Sequence, residues 1–142
     1  MAADFDLERF FPYRLSVLNE QVSRSLAALY SERFDLTPPE WRAMAVLARF
    51  QPLSAAGVCA RTNMDKVRVT RAIARMIASD LVWREEDSSD RRFVSLRLTD
   101  KGRTVYDQIL PLVRAREAEI LATLTPQEVS TLEALLRKLT TG

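Results

Sequence analysis

The sequence predicts a mainly α-helical chain carrying one small antiparallel β hairpin. Three observations lead there. Apolar residues recur at steps of three and four through most of the chain. Thr or Ser stands at several helix starts, twice with Pro next and Glu three residues on. Near the middle, two short β-type runs flank a wholly polar tip. Three glycines and six prolines in 142 residues argue against both disorder and an all-β fold rich in tight turns.

A first helix fits residues 12–34, with Leu15, Leu18, Val22, Leu26, Leu29 and Phe34 as its stripe. Pro12 suits a first turn, where its missing N–H costs nothing. Tyr30 and Val17 widen the apolar face, so a neighbour or a second subunit is expected to cover it. Thr37-Pro38-Pro39-Glu40 is a capping-box start for a second helix. That helix continues through Trp41, Met44, Ala45, Leu47 and Ala48 to about Phe50, where Gln51-Pro52-Leu53 stops it. Ser54 caps a short helix over residues 55–61, buried through Ala56, Val58 and Cys59.

After the turn Thr62-Asn63-Met64, a helix runs over about residues 65–79. Its Val69, Ile73, Met76 and Ile77 share one sector, while Arg68, Arg71 and Arg75 share a roughly opposite one. Two helices joined by a short turn, the second apolar inside and basic outside, describe a helix-turn-helix. Residues 81–86 and 93–98 read as strands, with Val94, Leu96 and Leu98 alternating with Phe93, Ser95 and Arg97. Thr99 caps a long helix over residues 100–121, faced by Val105, Ile109, Leu112, Val113, Ile120 and Leu121. Pro111 is expected to bend it. Thr125-Pro126-Gln127-Glu128 repeats the capping box and opens a last helix through Leu139, striped by Val129, Leu132, Leu135, Leu136 and Leu139.

The composition, 47% hydrophobic and 28% charged, suits one globular domain over residues 1–142. With one cysteine and no histidine, an internal disulfide, a Cys/His zinc site and a His-dependent triad are all excluded. Nothing resembles a phosphate loop or a nucleophile–base pair, so no enzyme, cofactor or metal is expected. The acidic N-terminus and the lack of an apolar run near about 20 residues predict a cytoplasmic protein without membrane contact. Cys59, Trp41, Trp83, Met44 and Met76 are expected in the core.

Net charge is only +2, so a nucleic-acid signal must come from clustering. Residues 61–78 hold Arg61, Lys66, Arg68, Arg71 and Arg75 against one acid, Asp65. A helix with a basic face, followed by a hairpin tipped Asp87-Ser88-Ser89-Asp90-Arg91-Arg92, can hold double-stranded DNA at two grooves. Arg68, Arg71 and Arg75 suit phosphates or the O6/N7 edge of guanine. They lack acidic partners four residues away, which distinguishes them from an ordinary solvated face. Val67 and Thr70 near the helix start suit a thymine methyl, although Thr70 can instead bond back to its own backbone. Arg92 suits a narrow minor groove. Asp90 would repel phosphate and is better placed to brace Arg92. Arg91 can serve in place of Arg92. Arg84 and Arg97 read as sheet-face or phosphate contacts.

In this order of elements, the chain resembles the MarR family of winged helix-turn-helix regulators over roughly residues 12–139. The specific part is residues 73–102. There Asp80-Leu81-Val82 leads into a strand, and Asp90-Arg91-Arg92 carries the family's wing Asp-x-Arg. Leu98-Thr99-Asp100-Lys101-Gly102 matches its Leu-Thr-x-x-Gly. The resemblance implies a winged helix-turn-helix at about residues 37–100 and a homodimer built by helices at about 12–34 and 104–139. It implies that residues 65–79, including Asp65 and Lys66 at the helix start, enter the major groove while the wing arginine reaches the minor groove.

It further implies a pseudo-palindromic operator, a repressor role and a small-molecule effector held between the dimerisation and DNA-binding regions. Phe11-Pro12-Tyr13-Arg14-Leu15 is similar to a subgroup that includes sensors of aromatic-acid CoA thioesters. An aromatic acid or aromatic acyl-CoA is therefore the effector class implied, with Tyr13, Arg14, Asn19 and Trp41 as pocket candidates. Two alternatives stand beside this reading. One is an oxidant-sensing or ligand-independent regulator, and the other is a winged-helix adaptor that binds protein and not DNA.

Overall fold

The computed structural model describes residues 4–86 and 94–141. A single tight helical turn, Leu7–Arg9, precedes α1 (Phe11–Phe34). There follow α2 (Pro38–Phe50), α3 (Ala55–Thr62), α4 (Lys66–Ala78), β1 (Val82–Glu86), β2 (Val94–Leu98), α5 (Asp100–Leu121) and α6 (Pro126–Thr141). The helix starts fall where the local chemistry puts them. The side chains of Thr37, Ser54, Asp65 and Thr99 each accept an N–H three residues on, from Glu40, Gly57, Arg68 and Gly102. Three corners use the left-handed conformation that Asp and Asn tolerate best. They are Asp35 after α1, Asn63 after α3 and Asp80 between α4 and β1.

The core lies under the helix-turn-helix. Met44 and Leu47 of α2, Val58 of α3, Val69 and Met76 of α4, Val82, Leu96 and Ile109 are all fully or nearly fully buried. The strands pair antiparallel, from Val82 opposite Leu98 to Glu86 opposite Val94. The loop between α2 and α3 adds a partial third strand. Leu53 and Leu96 exchange N–H···O bonds of 3.2 and 2.7 Å, and Gln51 Oε1 accepts from the Leu98 N–H at 2.8 Å. The base of the wing is thereby tied to the body.

Three expectations about burial need correction. Ala56 is exposed, because only Val58 of the short helix points fully inward. Cys59 is half-buried at the core margin rather than enclosed. Trp83 is exposed, because β1 leaves the body after Val82. α5 continues through Pro111, whose ring faces solvent.

The α4–β1 corner is stitched to the start of α5. Thr99 donates its N–H to the Leu81 carbonyl at 3.0 Å and its hydroxyl to the Asp80 carbonyl at 2.6 Å. Lys101 Nζ donates to the Ser79 carbonyl at 3.0 Å. A Cβ at Gly102 would sit 2.1 Å from the Leu81 carbonyl oxygen, so only glycine fits there. Arg116 pins α5 to α1 by donating to the carbonyl and hydroxyl of Ser25, both at 2.8 Å.

α1 and α6 differ from the body. Tyr30 is the one buried residue of α1, and none of α6 is buried. Among the described residues, no helix is long and apolar enough to cross a membrane.

Candidate nucleic-acid interface

α4 divides along its length. Val69, Ala72, Ile73 and Met76 face the core, while Lys66, Val67, Arg68, Thr70, Arg71 and Arg75 are exposed. The division follows from the 3.6-residue period, which puts positions three and four apart on one face. Val67 stands out, since an apolar side chain 59% exposed has no packing reason to be there. Asp65 is the N-cap, and its carboxylate accepts the Arg68 N–H at 2.8 Å.

The arginines are not equally free. Arg68 Nε lies 3.7 Å from the Asp65 carboxylate, an exposed pair that contributes little. Arg75 is held more firmly. Its Nη1 lies 3.3 Å from Oε1 of the buried Glu40, and its Nη2 lies 3.7 Å from Asp35. No acid stands four residues from any of these arginines, as expected, yet Arg68 and Arg75 have acidic partners outside that spacing, while Arg71 has none among the described residues. Spacing along α4 could not reveal Glu40 or Asp35, which come from the α1–α2 corner. Arg61, counted in the basic cluster, lies with its guanidinium 3.7 Å from the Phe50 ring centroid.

On one side of α4, Arg68, Arg71 and Arg75 border a cleft of about 370 Å³ against Thr37, Pro39 and Glu40. On the other, Thr70, Ile73, Ala74 and Ile77 border a cleft of about 270 Å³ against Ala55, Arg84, Val94 and Leu96. Thr70 thus faces the wing base. Arg84 is exposed, and Arg97 lies 3.9 Å from Glu85 across the hairpin. The wing residues Asp90, Arg91 and Arg92 lie outside the described residues.

The four pocket candidates do not converge. Tyr13 and Arg14 share a surface groove of about 210 Å³ with Glu8, Val17, Leu18 and Gln21. Asn19 accepts a hydrogen bond from the Ser23 hydroxyl at 3.4 Å and does not line that groove. Trp41 is stacked between Tyr30 and Tyr106, with ring centroids 5.8 and 5.6 Å away, and so joins α1, α2 and α5. Burial pushes the Tyr30 phenol above its ordinary pKa, and the Arg42 cation opposes that.

A helix-turn-helix whose second helix buries one face and presents a basic one, beside a two-stranded wing, is the working part of a DNA-binding transcriptional regulator. Known proteins agree. The model of the MarR family matches residues 34–92. The HTH-type transcriptional regulator YkoM of Bacillus subtilis is 30% identical over 108 residues, covering 76% of this chain and 70% of the relative. A MarR-family transcriptional regulator from Silicibacter pomeroyi superimposes with a TM-score of 0.78 at 27% identity, over 98% of this chain and 93% of that one. BpsR of Bordetella bronchiseptica, whose DNA binding is regulated by 6-hydroxynicotinic acid, shares the fold with a TM-score of 0.89 at 21% identity, over 99% of both chains. The chain belongs to the MarR family of transcriptional regulators.

Proposed function

We propose that this regulator is a cytoplasmic homodimeric repressor that binds a pseudo-palindromic operator and is released by a small aromatic acid or its CoA thioester. The observation that carries the DNA half is the exposed face of α4, where Lys66, Val67, Arg68, Thr70 and Arg71 stand together near the helix start. Those residues come first to a major groove when a recognition helix enters by its N-terminus. Arg92, with Asp90 as its brace, is assigned to the minor groove, and Arg91 is the substitute for Arg92. The dimer is supported by the uncovered stripes of α1 and α6.

The effector assignment has separate support. BpsR, of the same fold, responds to an aromatic acid. Tyr13 and Arg14 offer an aromatic face and a cation beside the apolar Val17 and Leu18. Together these suit a ring carrying an anionic group. Trp41 stands apart from that groove, in the aromatic stack with Tyr30 and Tyr106.

Selection from a randomised duplex pool tests the DNA reading. The chain should enrich two half-sites about one helical turn, ~34–36 Å, apart. Affinity should fall steeply with salt. Arg92→Ala should weaken binding to the enriched duplex while the dimer stays folded, and unchanged affinity would remove the wing from the interface. Thermal shift against benzoic acids and benzoyl-CoA tests the effector, since a ligand at 100 times its dissociation constant stabilises by about 2.7 kcal/mol.

A further inference from the structure

The chain contains two Thr-Pro-x-Glu corners, and they are wired differently. At Thr125 the capping box is closed in both directions. The Thr125 N–H donates to Glu128 Oε1 at 2.8 Å, and the Glu128 N–H donates to Thr125 Oγ1 at 3.1 Å. At Thr37 the Glu40 N–H donates to Thr37 Oγ1 at a longer 3.4 Å. The Glu40 carboxylate accepts the Thr37 hydroxyl at 2.9 Å instead of a backbone N–H, and the same oxygen faces Arg75 Nη1 at 3.3 Å. Glu40 is 3% exposed and is the one buried charged side chain among the described residues. A carboxylate in that position is costly unless paired, and breaking the pair costs more than the pair contributes.

We propose that Glu40 and Arg75 are positioning residues that seat the recognition helix on the α1–α2 corner, and that Arg75 acts through Glu40 rather than on DNA. The proposal rests on the DNA-binding reading of α4. Arg75 stands about 10 Å along the helix from Arg68, two turns behind the residues nearest the groove. It holds Glu40 at the start of α2, while Asp35 at the end of α1, exposed and 3.7 Å away, adds little. One side chain therefore ties α4 to the start of α2, and the tilt of the helix depends on it. The cleft beside it is poorly suited to a DNA phosphate. Pro38 and Pro39 bring no N–H to the start of α2, Thr37 accepts the next two N–H groups, and Glu40 adds negative charge.

The sign of one substitution separates the two roles. Glu40→Gln removes a negative charge near the DNA. Charge alone predicts tighter binding and, with Arg75 released, a steeper salt dependence. Positioning predicts about tenfold weaker binding to the duplex that the wild-type chain enriches, with binding to unselected pool DNA no weaker. Arg75→Met should match that loss without altering the salt slope, whereas a lost phosphate contact would lower the slope by about 1. The double variant should lose no more than the larger single loss.

Tighter or unchanged binding by Glu40→Gln, a shallower slope in Arg75→Met, or additive losses would each overturn the proposal. If Glu40→Gln does not fold, Arg75→Met on the exposed side still gives the slope. If the wild-type chain enriches no duplex, the DNA reading itself falls. The double-variant cycle, read by urea midpoint, then decides the pairing, and additive midpoint shifts overturn it.

Discussion

Leu47 in α2 and Leu139 in α6 belong to equally regular apolar stripes, yet the first is fully buried and the second is 63% exposed. The contrast extends to their surroundings. α2, α3, α4, the hairpin and the middle of α5 close on one another around Met44, Val69, Met76 and Leu96. At the chain ends, Phe11, Leu15 and Leu18 of α1 and Leu132, Leu135 and Leu136 of α6 remain uncovered. The amphipathic pattern says that a helix needs a cover and is silent on who provides it. In the body the cover is the same chain. At the ends the proposed cover is a second copy.

The largest break in that comparison is Leu47→Ala. It should cost about 2–5 kcal/mol of stability in urea unfolding, because it empties a packed site with no exposed alternative. Next, Leu135→Glu with Leu139→Glu should leave the body folded and raise the dimer dissociation constant. Two buried leucines are worth about 3 kcal/mol or more, or at least about 100-fold. Light scattering at micromolar concentration reads this directly, and an unchanged mass would mean that α6 is not the dimer face.

Arg71→Ala lies on the outer surface of the body and should spare both folding and dimer. It should cost about 1–3 kcal/mol of DNA affinity at one base-pair position if it reads guanine, and uniformly across sequences if it holds phosphate. The smallest effect belongs to Thr125→Ala, which removes one exposed cap. It should lower stability by about 1 kcal/mol and leave DNA affinity unchanged, as measured by thermal unfolding and gel shift.

What the sequence made legible is mostly what acts over three or four residues. Thr37, Ser54, Thr99 and Thr125 cap their helices because a hydroxyl and an N–H three residues on are brought together by the turn itself. The two faces of α4 were legible for the same reason. What escaped depends on contacts between distant segments. The Leu53–Leu96 bridge joins residues 43 apart in sequence, and the Arg75–Glu40 pair joins residues 35 apart. Neither leaves a periodic trace. Trp83 was misplaced because alternation along a strand does not say where the strand leaves the body. The pocket candidates come from the resemblance alone, and Tyr13 on α1 lines a surface groove while Trp41 on α2 stands in an aromatic stack.

Gly102 has a consequence for motion. With no side chain to cushion it, the first turn of α5 rests directly on the Leu81 carbonyl. Thr99 and Lys101 fasten it to the end of α4 on either side. A joint with so little free space passes a displacement of the first turn of α5 on to the α4–β1 corner. The proposed recognition helix is thus joined to α5 through the backbone carbonyls of residues 79–81, with no flexible linker between them.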